Sequence, residues 1–77
     1  MMTCRKNTNG EVVPGTWKMV DLTPEKKVPM IVCSHGHLCT LESYQIQPSG
    51  LVLPLVLCPI DGCDFHEFVR LEGWIEQ

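Results

Sequence analysis

The chain has 77 residues, 44% hydrophobic and 19% charged, with a net charge of −3. That length allows one domain. The composition is too apolar and too weakly charged for a disordered chain, and no repeat or biased tract points to a coiled coil, a collagen or a low-complexity polymer. Domains this short struggle to hold together by apolar burial alone and commonly rely on a disulfide, a metal or a partner.

Residues 1–11 are polar and are expected to form a loose amino terminus, leaving 12–77 as a single folded domain. Val12-Val13-Pro14-Gly15 reads as an extended piece ending in a turn. Thr16 to Leu22 has the composition of a strand, with Trp17 and Met19 on one side and Lys18, Val20 and Leu22 on the other. Thr23-Pro24-Glu25-Lys26-Lys27 predicts a turn or a single helical turn capped by Thr23. Short strands are expected over Val28–Cys33 and Leu38–Ile46, followed by a turn at Gln47-Pro48-Ser49-Gly50. Leu51 to Leu57 is the most apolar segment and is expected to be the central strand, with Pro54 forcing a bulge or an edge. Residues 64–72 fit a strand or a helix, and Trp74 and Ile75 follow Gly73. Trp17, Phe65, Phe68 and Trp74 are expected in the core. The fold class that emerges is small, mainly β, with an antiparallel sheet.

The amino terminus lacks the apolar run of an export signal. The longest apolar stretch, Leu51 to Ile60, is broken by Pro54 and is about half of the ~20 residues a membrane-spanning helix needs. The expected location is the cytoplasm. Charge is uneven: Arg5, Lys6, Lys18, Lys26 and Lys27 dominate the first thirty residues, whereas Asp61, Asp64, Glu67, Glu72 and Glu76 oppose only Arg70 in the last seventeen. The acidic end would repel DNA and suits a basic protein surface or simple solvation. Binding to duplex DNA is not expected.

Cysteine and histidine carry the chemical information. Apart from Cys4 they fall into two clusters, Cys33-Ser34-His35-Gly36-His37-Leu38-Cys39 and Cys58-Pro59-Ile60-Asp61-Gly62-Cys63-Asp64-Phe65-His66. A Pro-Ser-Gly turn between β-prone segments separates them. Two sulfur/imidazole pairs on tight loops at one end of a sheet is the layout of a structural zinc site, which takes four thiolate or imidazole ligands in a tetrahedron. A glycine after the second ligand favours Cys33 and His35 in the first loop; Cys58 and Cys63 supply the second. The expected metal ligands are therefore Cys33, His35, Cys58 and Cys63, with His37, Cys39 and His66 as possible substitutes. An odd cysteine count without an export signal argues against a disulfide framework. Thiols paired with turn residues suit ligation better than nucleophilic catalysis, which needs one activated thiolate and an orienting group. Cys4 is expected to be a bystander in the loose end, and Cys39, if not a ligand, a small core residue.

The two clusters and the intervening hairpin resemble the zinc-ribbon superfamily. The stretch Cys58-Pro59 through Cys63-Asp64-Phe65-His66-Glu67-Phe68-Val69-Arg70-Leu71-Glu72-Gly73-Trp74 is similar to short zinc-ribbon proteins of tailed bacteriophages and prophages, over about residues 31–75. A histidine stands where the ribbon pattern has the second cysteine of the first pair, and the second loop is longer. The resemblance implies no enzymatic activity. Small size, the acidic tail, the apolar strand Leu51 to Leu57 and the lack of catalytic groups point to a zinc-stabilised protein-interaction module, such as a phage accessory factor acting on a host protein. The alternative is a nucleic-acid-binding ribbon of transcription or replication machinery.

Overall fold

A computed structural model describes residues 1–8 and 10–75. The described residues form seven strands and no helix: β1 (Met2–Lys6), β2 (Thr16–Thr23), β3 (Lys26–Val32), β4 (Leu38–Thr40), β5 (Gln45–Ile46), β6 (Leu51–Leu57) and β7 (His66–Leu71). They make one curled sheet in the order β4-β3-β2-β1-β7-β6-β5. The mainly β fold class holds, but the sheet is mixed, not antiparallel, because β1 runs parallel to both of its neighbours.

Strand β1 corrects the expectation of a loose amino terminus. Its first half pairs with β7, Met2 to Cys4 opposite Val69 to Leu71, and its second half pairs with β2, Arg5 and Lys6 opposite Thr16 and Trp17. It therefore joins two antiparallel half-sheets, β2-β3-β4 and β7-β6-β5. Cys4, expected to be a mobile thiol, has no solvent exposure and sits in the core. The carbonyl of Cys4 accepts from Glu72 N, and Arg5 N donates to the Gly15 carbonyl.

Other segments follow from local chemistry. Pro24 and Glu25 make a tight turn, not helix, because Thr23 and Lys26 already pair across it. The expected strand over 38–46 divides in two. A turn at Leu41-Glu42-Ser43-Tyr44, closed by Tyr44 N donating to the Leu41 carbonyl, sends β4 to one edge of the sheet and β5 to the other. The register of β6 on β7 shifts between Val52 and Val56, as expected where Pro54 offers no N–H to the ladder. Strand β6 is not central, however; β1 takes that place.

The curl brings the inner faces of both half-sheets onto one core. It contains Trp17, Ile31, Cys39 and Leu41 from the first half and Val52, Val56, Phe65, Val69 and Leu71 from the second, with Cys4 between them. Trp74 packs against it, tilted on Trp17 with ring centroids 5.7 Å apart. The Trp17 indole donates to the Glu72 carbonyl at 2.8 Å. Phe68 departs from expectation: it is 48% exposed, on the opposite face of β7 from Val69 and Leu71.

Candidate metal centre

Each half-sheet delivers one loop to the same end of the molecule. In the first, Cys33 follows β3 and His37 precedes β4. The loop is closed by Cys33 N donating to the His37 carbonyl and Gly36 N donating to the Cys33 carbonyl, both at 2.9 Å. In the second, Cys58 follows β6, with Cys58 N donating to the Phe65 carbonyl and Cys63 N to the Ile60 carbonyl, both at 3.1 Å. Gly36 and Gly62 have φ of 84° and 81°, a backbone that side chains disfavour and glycine adopts freely. Each glycine immediately precedes its loop's second sulfur or imidazole, His37 or Cys63.

These loops converge. The Nδ1 atom of His37 lies 3.7 Å from Cys33 Sγ and 3.6 Å from Cys58 Sγ, and Cys33 Sγ lies 3.9 Å from Cys63 Sγ. The four ligand atoms all fall within 4.8 Å of one another, close enough to hold one metal ion. All five cysteines are free thiols. Cys33 is buried at the base of the cluster, and Cys58 and Cys63 are half-buried.

Three of the four expected ligands, Cys33, Cys58 and Cys63, are therefore brought together, and His35 is not. Its Nε2 turns outward to Asp64 Oδ1 at 2.8 Å, an exposed contact that ties the first loop to the second from outside. His37, a substitute in the sequence reading, fills the fourth position. The signal that identifies it was present in the second loop: Gly62 stands before Cys63, and the same placement in the first loop points to Gly36-His37. His66 lies outside the cluster, its Nδ1 against the Asp64 carbonyl at 3.1 Å. Cys39 is buried beside it, its thiol directed at the His37 carbonyl at 3.7 Å.

The electrostatics divide the thiols. Burial opposes ionisation of Cys33, but the backbone N–H groups of His37 and His35 and the thiols of Cys63 and Cys58 turned toward its sulfur hold it below the ordinary thiol value. At Cys63 the Phe65 N–H favours the thiolate, but burial and the neighbouring Cys58 and Cys33 prevail and push it up to about 11. Three sulfurs this close cannot all ionise without a cation between them, and a bound dication would supply that charge. Burial first, then Cys58 and Cys33, drive Cys39 up to about 12, so it stays a protonated neighbour.

Comparison with protein-family models, curated proteins and solved structures finds no match for the chain.

Proposed function

We propose that the cluster is a structural zinc site and that the chain is a small, non-enzymatic, zinc-stabilised protein-interaction module. One observation supports the metal above all. A tetrahedral zinc ion with bonds of about 2.3 Å to sulfur and about 2.0–2.1 Å to nitrogen separates its sulfurs by about 3.8 Å and a sulfur from a nitrogen by about 3.6 Å. Three separations within the cluster, 3.9 Å between sulfurs and 3.7 and 3.6 Å between sulfur and nitrogen, match those edges. All four positions of the tetrahedron are filled by protein, which suits a closed structural site rather than a catalytic one that keeps an open position. With zinc and three thiolates the site carries −1, which adds to the acidity of the second loop. A role as a phage accessory factor inside a host cell rests on the ribbon resemblance.

Elemental analysis of the purified protein is the test. One zinc per chain is expected, released by acid or by a thiol-modifying reagent. A metal-free protein that keeps its cooperative fold would overturn the reading.

A further inference from the structure

The two outer faces of the sheet are treated differently. In the first half-sheet, Met30 and Val32 point away from the common core, yet they are 7% and 3% exposed. The crossover from β1 to β2 lies over them: a small cavity there is lined by Glu11 and Val12 together with Met30, Val32 and Leu38. The second half-sheet has an outer face of the same apolar kind. Leu51 and Leu57 lie outward beside Arg70 and His66, and Leu53 beside Gln45. Leu55 flanks the inward Val56 beyond the register shift at the exposed Pro54, and Leu51, Leu53 and Leu55 are half-buried. Phe68 and Arg70 on β7, and Thr3 and Arg5 on β1, share that side, since Arg70 is the register partner of both Leu51 and Thr3. Leu57 is 58% exposed. At one end of this face Arg70 Nε donates to the Ser49 carbonyl at 3.3 Å, and Phe68 beside it is 48% exposed.

Its charge identifies what fits. Arg5 and Arg70 are exposed there, His66 lies opposite Leu57, and none of the outward residues of β1, β6 and β7 is a carboxylate. Glu67 belongs to the other side of β7 and pairs with the terminal amine at 3.1 Å. A chain with a net charge of −3 thus presents a cationic apolar face. Two copies would bring their arginines together, which disfavours self-association here. Two arginines are too few for an anionic membrane, where each basic residue contributes about 1 kcal/mol and clusters of roughly 4–8 are used. A single aromatic is a poor stacking platform for bases. An apolar sheet face is usually covered by a helix or a second sheet. A seven-residue strand such as β6 is roughly 23 Å long, the length of a helix of about 15 residues.

We propose that the outer face of β1, β7 and β6 docks an acidic amphipathic helix of a partner protein, with Leu53, Leu55, Leu57 and Phe68 as the apolar seat and Arg5 and Arg70 as the charge contacts. This rests on the reading of the chain as an interaction module and names its partner class.

The zinc-loaded protein is titrated with four probes at physiological salt. These are a 16-residue Leu/Glu amphipathic peptide, its Leu/Lys counterpart, phosphatidylglycerol vesicles and oligo-dT. Amide NMR shifts report the site. The Leu/Glu peptide is expected to bind with shifts confined to β1, β6 and β7. Phe68→Ser and Arg70→Glu are each expected to weaken it at least about tenfold while zinc content stays unchanged. Vesicle or oligo-dT binding that the same substitutions abolish would overturn the proposal, as would failure of the zinc-loaded protein to bind any probe. The Leu/Lys peptide bound at Asp61 and Asp64 would overturn this surface and leave the interaction module standing. Loss of zinc from the unmodified protein would instead condemn the proposed function.

Discussion

The two half-sheets are built alike and finished differently. Each is a three-stranded antiparallel unit that gives its inner face to the shared core and one loop to the metal centre. The first covers its outer face with the crossover leading into β2, so Met30 and Val32 are buried. In the second, Leu57 and Phe68 remain in solvent. The comparison teaches that the halves contribute equally to the Cys/His cluster but differ in how their outer apolar faces are covered. It also shows that a net charge says little about one face: acids gather at the second loop while arginines gather on the outer side of β1 and β7.

The largest expected effect breaks both halves together. Each half gives two residues to the cluster and all five cysteines are free thiols, so a bound ion would be the crosslink between the two loops. Binding energy in such a site is folding energy, apparently about 10–16 kcal/mol in zinc-finger peptides. Cys58→Ser or Cys63→Ser is expected to release the metal and to abolish the cooperative melt and the near-ultraviolet signal of Trp17 and Trp74. Retention of both signals by the metal-free variant would show that β1 and the shared core suffice to unite the halves.

A second pair of substitutions sharpens the contrast between the outer faces. Met30→Ala empties a covered site and should cost roughly 2–5 kcal/mol. Leu55→Ala, on the bare face and only half-buried, should cost about 1 kcal/mol or less. Urea unfolding of the zinc-loaded proteins measures both, and equal costs would erase the distinction.

What was legible in the sequence follows the same division between local and non-local causes. Strands β2, β3 and β6 announce themselves by apolar residues between Pro and Gly turns, and Pro54 marks its own bulge; residues 64–72 fit strand or helix alike, and pairing with β1 and β6 makes them β7. Strand β1 does not, because Met2-Thr3-Cys4-Arg5-Lys6 buries only a cysteine completely, and its partners lie at opposite ends of the chain. The break at 41–44 was hidden because a turn of the commonest type tolerates Leu, Glu, Ser and Tyr without Gly or Pro. Phe68 reads as core by type and is exposed by alternation. Three ligands were readable from clustering; the fourth required noticing that the positive-φ glycine precedes the second ligand in both loops. Glu76 lies outside the described residues.

A third prediction concerns the junction between the halves. Burial pushes Cys4 up to about 11, above the ordinary thiol value near 9. A group whose folded-state pKa is raised contributes stability that is complete below the unfolded value and is lost as pH rises toward the folded one. Stability should therefore fall between about pH 9 and 11, by on the order of 2–3 kcal/mol. In Cys4→Ala that part of the decline should vanish, as urea midpoints at pH 8 and pH 10.5 would reveal. An identical alkaline decline in both proteins would show that Cys4 does not ionise on unfolding.

The smallest expected effect separates two histidines two positions apart. His37 Nδ1 lies within ligand distance of two sulfurs, whereas His35 faces outward and touches Asp64. Both members of that outer pair are solvent-exposed, so water competes for the contact and salt screens it; such pairs contribute about 0–1 kcal/mol. His35→Ala is therefore expected to keep a full equivalent of metal and to lose at most about 1 kcal/mol. His37→Ala should lose the metal at once when challenged by a weak chelator, because a three-thiolate remnant lacks the imidazole that closes the tetrahedron. Cobalt substitution makes the difference visible, since the ligand-field and sulfur-to-cobalt charge-transfer bands report the donor set directly. Those bands should be unchanged in His35→Ala and altered or absent in His37→Ala. The opposite order would return the fourth ligand to the residue that the glycine-after-ligand rule selects, and would mean that the first loop closes on the metal differently from the second.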